Sequence, residues 1–206
     1  MSKKGLFITF EGADGSGKTT QVNKVKEYLE NKGYKCLLTR EPGGSELGAE
    51  IRKILLHYDG YVDSLCELLL YMADRAQHVK TVIIPAIERG EIVLCDRHTD
   101  SSVAYQGYGR GLDIERIVKL NEIATDGLVP DLTILYDVET DTAMTRVGET
   151  KDRLEQEGYA FHKKLRLGYL ELAKRFAQRF EIIDANKNID EVFEQTKKII
   201  NKKLEQ

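Results

Sequence analysis

Apolar residues gather along the chain in short runs, at Leu6–Phe10, Lys35–Thr39, Glu91–Cys95, Leu132–Tyr136 and Glu181–Ile183, which read as strands. Between them the apolar positions recur every three or four residues, as Val22, Val25 and Leu29 do, and this spacing predicts amphipathic helices. In the last such stretch Ile189, Val192, Phe193, Thr196, Ile199 and Ile200 trace one face. Lys197, Lys198, Lys202 and Lys203 fall near its end, where they form either an anion patch or a solvated face that complements the helix dipole. Strands alternating with helices predict parallel βαβ units and a doubly wound α/β fold, a five-stranded parallel sheet flanked by helices.

Ligands of such sheets bind beyond the carboxyl ends of the strands, so the residues that follow each strand carry the chemistry. After the first strand, Gly12-Ala13-Asp14-Gly15-Ser16-Gly17-Lys18-Thr19, with Thr20 behind it, fills every position of the phosphate loop G-x-x-x-x-G-K-[ST]. The glycines let consecutive N–H groups turn toward one anion at a helix N-terminus. Lys18 is placed to reach the β- and γ-phosphates, and the Thr19 hydroxyl to hold Mg²⁺. The expected ligand is a nucleoside triphosphate, and the fold a P-loop NTPase.

Asp96 ends the third apolar run and matches the strand-then-aspartate pattern of a magnesium carboxylate, with Arg97 directly behind it. Asp137 occupies the same kind of position after the fourth run and is read as a structural strand-end carboxylate. Arg40, Arg52, Arg75 and Arg97 lie near predicted strand ends or on adjacent helices. Together they suggest an acceptor that is itself a phosphate monoester, because the guanidinium fork matches phosphate oxygens in pairs. Ser101 to Gly111 admits two readings, a solvent loop or a wall for a flat ligand with polar edges. Arg146 to Arg153 is a polar stretch between helices, either a closing lid or a salt-bridged turn.

With 206 residues, 41% hydrophobic and 32% charged, the chain suits one domain, 1–206, with the lid segment at about 146–153. A net charge of −3 leaves no footprint for bulk nucleic-acid binding. The first apolar run is too short for a signal peptide or a membrane span. Cys36, Cys66 and Cys95 make no C-x-x-C pair, and the four histidines lack metal-ligand spacing, so a reducing cytoplasmic address is expected.

Taken in order, Phe10-Glu11-Gly12, Thr39-Arg40-Glu41-Pro42-Gly43-Gly44, Tyr71 to Arg75 with His78, Asp96-Arg97-His98, Asp100-Ser101-Ser102, Ala104-Tyr105-Gln106-Gly107 and Asp152-Arg153-Leu154-Glu155 with Phe161-His162 resemble bacterial thymidylate kinases nearly end to end. The resemblance implies transfer of the γ-phosphoryl group of ATP to dTMP with Mg²⁺, by a homodimer. It implies that Tyr71 stacks on thymine, Arg75 reads the base's carbonyl edge, Ser102 and Gln106 contact the base, and Tyr105 shields the 2′ side of the sugar. Arg40, Arg52 and Arg97, beside Pro42, are implied to hold the acceptor phosphate or keep its pocket positive, with Glu11 and Asp14 near the sugar hydroxyl and metal waters. Lys18, Asp14, Arg97 and Arg153 form the implied catalytic set, Thr19 and Asp96 the metal site. Arg146 and Asn186 are assigned to ATP, the Asp184-Ala185-Asn186 loop lying by the adenine. Such kinases carry their extra arginine in the phosphate loop or in the lid; position 15 is glycine here, so Arg153, assisted by Arg146 or Lys151, is the implied source of charge. Two departures stand out: Tyr71 where phenylalanine is usual, and a shorter lid with fewer arginines. Other nucleoside monophosphate kinases, a GTP-dependent switch suggested by Asn186-Lys187-Asn188-Ile189-Asp190, and a silent nucleotide binder are the competing readings.

Overall fold

Each predicted apolar run is a strand, and each strand ends one residue later than predicted, on a charged side chain. In this computed structural model, which describes residues 5–148 and 153–205, the strands are β1 (Leu6–Glu11), β2 (Cys36–Arg40), β3 (Ile92–Asp96), β4 (Leu132–Asp137) and β5 (Phe180–Asp184). They pair in parallel in the order β2-β3-β1-β4-β5. Glu11, Arg40, Asp96, Asp137 and Asp184 therefore line up along one edge of the sheet. β1 runs between β3 and β4, with Ile8 opposite Leu94 on one side and Leu132 on the other. A strand enclosed this way must be apolar along its length. Its one polar interior position, Thr9, is satisfied by Thr133 across the β1–β4 pair at 2.8 Å.

Alternation along the strands divides the core. Ile8, Phe10 and Leu94 pack with Val22, Val25 and Leu29 of α1 (Lys18–Asn31) and with Val192 and Ile200 of α9 (Ile189–Leu204). Phe7, Val93 and Cys95 face the other way, onto Val79, Ile83 and Ala86. On α9 the buried stripe is Val192, Thr196 and Ile200, and Thr196 Oγ1 meets the Tyr136 hydroxyl at 3.1 Å. Ile189 departs from the predicted face and is 55% exposed, because it opens the first turn behind its cap. That cap is Asn188, whose Oδ1 accepts from the N–H groups of Asp190 and Glu191. The Asn-Lys-Asn-Ile-Asp sequence thus starts a helix.

Two helices follow β2: α2 (Glu46–His57), capped by Ser45, and α3 (Ser64–His78), capped by Asp63. α3 runs on through a π-helical segment, Val79–Ile83, into α4 (Ile84–Glu88). After β3 come the short α5 (Thr99–Ser102), a wide π-helical stretch at Val103–Gly109, and α6 (Ile114–Thr125). The solvent-loop reading of Ser101–Gly111 is thereby corrected, since Val103 to Gly107 is helical and buried. α7 (Thr140–Arg146) and α8 (Tyr159–Arg175) flank the expected lid, of which residues 149–152, including Lys151 and Asp152, lie outside the described residues.

Candidate active site

The phosphate loop turns on glycine. Gly17 caps α1 at φ 82° and Gly15 stands at φ 79°, a left-handed region that a side chain disfavours. A Cβ built at Gly15 would also lie 2.2 Å from the carbonyl oxygen of Ala143 on α7. Inside the loop the buried Lys18 ammonium donates to the Ala13 carbonyl at 2.9 Å. Burial, with the Arg97 charge adding to it, pulls the Lys18 pKa down to about 8, against the pull of Asp14, Asp96 and Glu11. Thr19 Oγ1 donates to Asp96 Oδ2 at 2.9 Å, which joins the first helical turn after the loop to the end of β3. Two hard oxygens at this spot suit Mg²⁺, whose ligands are carboxylate, hydroxyl and water.

Arg97 locks the loop to β3. Its backbone is left-handed at φ 69°, unusual for a residue with a Cβ, and its N–H donates to the Phe10 carbonyl at 3.0 Å. The guanidinium reaches Gly12 O at 2.9 Å, the Tyr169 hydroxyl at 3.1 Å and Asp14 Oδ1 at 2.5 Å. Burial opposes the charge on Asp14, but Arg97, Lys18 and the Tyr105 hydroxyl at 2.7 Å outweigh it and hold the carboxyl below the usual range. Arg97 also stacks over the Tyr105 ring, 5.1 Å from its centroid.

Glu11 stands outside the cavity wall and supports the groups around it. It is fully buried, and its oxygens accept from the His98 N–H (2.8 Å), the Ser101 hydroxyl (2.6 Å) and the Tyr169 hydroxyl (3.2 Å). Burial and the nearby Asp100 charge push its pKa up to about 7.

Beyond the loop opens a cavity of 560 Å³, enough for a nucleotide. Lys18, Thr19 and Asp96 stand in its wall together with Arg40, Pro42, Arg52, Tyr71, Arg75, Ser102, Tyr105 and Gln106 from the sequence reading. Arg52 donates to the Pro42 carbonyl at 2.8 Å. Arg75 is closed from solvent, yet four of its five N–H groups have partners: Glu41 Oε2 (2.8 Å), Ser102 Oγ (2.9 Å), Asn121 Oδ1 (2.7 Å) and the His98 carbonyl (3.0 Å).

Arg153 lies elsewhere than expected. Its Nη2 pairs with Glu67 Oε2 at 2.5 Å and its Nε donates to the Leu55 carbonyl at 3.0 Å, so it faces the α2–α3 side and not the phosphate loop. The physical reason is Glu67, a carboxylate 1% exposed that requires cationic partners. Its neighbours Leu154 and Glu155 do reach the cavity wall. Arg146 and Asn186 lie apart from that cavity, beside the ends of β4 and β5: Arg146 donates to the Ala185 carbonyl at 2.8 Å, and Asn186 Oδ1 accepts from the Glu139 N–H at 3.0 Å. Asp137 is ion-paired with Arg166 at 2.7 and 2.9 Å, in keeping with its structural reading.

Three side chains that organise the site's hydrogen bonds, Glu41, Glu67 and Tyr169, were given no role from the sequence. Glu41 accepts from His78 and His98, each at 2.9 Å, besides Arg75. Glu67 and Tyr169 sit on helices whose reading centred on other residues, Tyr71, Arg75 and His78 on α3 and Phe161-His162 on α8. The proline-glycine turn after Glu41 was the one available signal among them.

A parallel sheet in this order, a phosphate loop tied to a strand-end aspartate and a neighbouring arginine-lined cavity define a P-loop phosphotransferase. The family model for thymidylate kinase matches residues 10–196. A thymidylate kinase of Thermoanaerobacter sp. (strain X514) is 48% identical over 202 residues, covering 98% of this chain and all of that one. One from Kosmotoga olearia is 50% identical over 195 residues, 94% of each. The crystal structure of thymidylate kinase from Ehrlichia chaffeensis superposes with a TM-score of 0.80 at 37% identity, covering 96% of this chain and 98% of that one. The chain belongs to the thymidylate kinase family.

Proposed function

We propose that the chain transfers the γ-phosphoryl group of ATP to dTMP, giving dTDP. The observation that carries this reading is the Thr19–Asp96 hydrogen bond, which sets the phosphate loop at the mouth of a cavity walled by Tyr71, Arg75, Ser102 and Gln106. ATP lies with its phosphates on the loop amides and Lys18, and its adenine toward Arg146 and Asn186. Thr19 and Asp96 would hold Mg²⁺, which would supply charge neutralisation on the phosphates. The dTMP base stacks on Tyr71 and meets Arg75 and Gln106 at its edge. Arg40, Arg52 and Arg97 draw its phosphate toward the loop, and Tyr105 closes the 2′ side of the sugar. Phosphoryl transfer needs alignment and charge more than a base, and these cations provide both. Arg153 joins them when it exchanges Glu67 for the transferring group, as part of a 146–153 lid on a single kinase domain.

The working form is a homodimer. Leu47 and Ile54 of α2 and Leu65 and Leu69 of α3 are large apolar side chains left exposed on adjacent helices, which supports this. A cytoplasmic setting fits the three free cysteines, and no helix among the described residues is long and apolar enough to cross a membrane.

The test is phosphoryl transfer from ATP–Mg²⁺ to the thymidine, uridine, cytidine, adenosine and guanosine monophosphates in parallel. Fastest turnover of dTMP is expected. Fastest turnover of another base would keep the kinase and overturn the base assignment; no transfer to any would leave a silent binder.

A further inference from the structure

Glu67, Tyr71 and Arg75 recur every fourth residue on α3, so they form one stripe along the helix. Tyr71 and Arg75 face the cavity, whereas Glu67 sits behind it, 1% exposed. Gln106 Nε2 donates to Glu67 Oε1 at 3.0 Å, Arg110 approaches both carboxylate oxygens at 3.3 and 3.4 Å, and Arg153 pairs with Oε2. Two guanidinium groups let a carboxylate exist in a place closed to water.

From this cluster we infer that Glu67 is a positioning residue that fixes the side-chain amide of Gln106 and so sets which base edge the cavity accepts. The inference rests on the thymidylate reading of that cavity. A carboxylate has only acceptors, so the end of the Gln106 amide turned toward it is the NH₂ group. Oε1 is then the polar atom left to the cavity that Gln106 lines, and it has no partner among the described residues. Among the described residues, Nη2 of Arg75 in the same wall has one acceptor, the His98 carbonyl, for its two N–H groups. The wall thus offers one acceptor and one donor. Thymine presents the complement, an N3–H donor beside the O4 acceptor. Cytosine presents the reverse, a bare N3 beside an amino group, and meets an unpaired buried group at both positions. With glutamine at position 67 the Gln106 amide is free to rotate, and the distinction weakens.

The experiment compares kcat/KM for dTMP and dCMP in the wild type, Glu67→Gln, Gln106→Leu and the double variant. In Glu67→Gln the dTMP:dCMP ratio falls about tenfold or more while the KM for ATP holds. In the Gln106→Leu background the same substitution leaves the ratio unchanged, because the amide it orients is gone. An unchanged ratio in Glu67→Gln alone overturns the inference. A wild type indifferent to the two bases overturns the thymidylate reading instead. Should Glu67→Gln not fold, ¹⁵N spectra of the wild type decide: the Gln106 Nε2 protons, identified by their loss in Gln106→Leu, stay slow to exchange and unmoved when dTMP is added. A large shift or rapid exchange on dTMP binding overturns the inference.

Discussion

Arg75 and Glu41 form an ion pair at 2.8 Å with both side chains closed to solvent, and the same carboxylate accepts from His78 and His98. One anion therefore holds an arginine of the cavity wall and two histidines behind β2 and β3. Burial works against the Glu41 charge, but Arg75 and His98 hold its carboxyl well below the ordinary range.

Removal of one partner leaves the other charge buried alone, so Glu41→Gln is expected to lower stability by about 3 kcal/mol or more. Urea unfolding checks this. Because the native carboxyl is depressed, its contribution is full above the unfolded carboxylate range and is lost as pH falls; the Glu41→Gln stability curve should be flatter below about pH 4 than that of the wild type.

Lys18 gives a second prediction. Its pKa near 8 means that the ligand-free protein sheds this charge above pH 8, whereas bound phosphates restore it. Binding of ATP at pH 9 should then take up a proton and weaken as pH rises. Calorimetry in buffers of different ionisation enthalpy measures the uptake; a zero value would contradict the placement of Lys18. Lys18→Ala should reduce turnover about tenfold or more.

Glu11 titrates in the opposite sense to Glu41. Its native pKa, near 7, lies above that of the unfolded chain, so the native state binds the extra proton between about pH 4.5 and 7 and stability declines across that interval as pH rises. Glu11→Gln keeps an acceptor for the His98 N–H and an amide for the two hydroxyls. It should fold and lose that slope, as thermal melts from pH 4.5 to 8 would reveal.

Arg153→Ala tests the lid. A drop of about tenfold or more in kcat with a smaller change in the KM for dTMP is expected. Near-normal turnover would leave Arg153 as the ion-pair partner of Glu67 and nothing more.

The strands and the phosphate loop were legible because their signals are contiguous: an apolar run ending on a charge, or a glycine pattern at fixed spacing. Asp96 was legible for the same reason, as the residue that follows such a run. Gln106 was singled out, but not Glu67, its partner, which lies 39 positions away as one of two buried carboxylates on α3. Tyr169 meets Glu11 across 158 positions, a contact set by the packing of α8 against the sheet and by no local pattern. Arg153 was recognised as chemically significant, yet its partner in this structure depends on that same unread carboxylate.

The close approach of Gly15 to α7 bears on where catalytic charge can sit. An arginine delivered from within the phosphate loop at this position would have to displace the Ala143 carbonyl and adopt a backbone angle that side chains resist. A side chain there would require α7 to shift. In this chain a catalytic arginine is therefore far costlier to seat at position 15 than outside the loop.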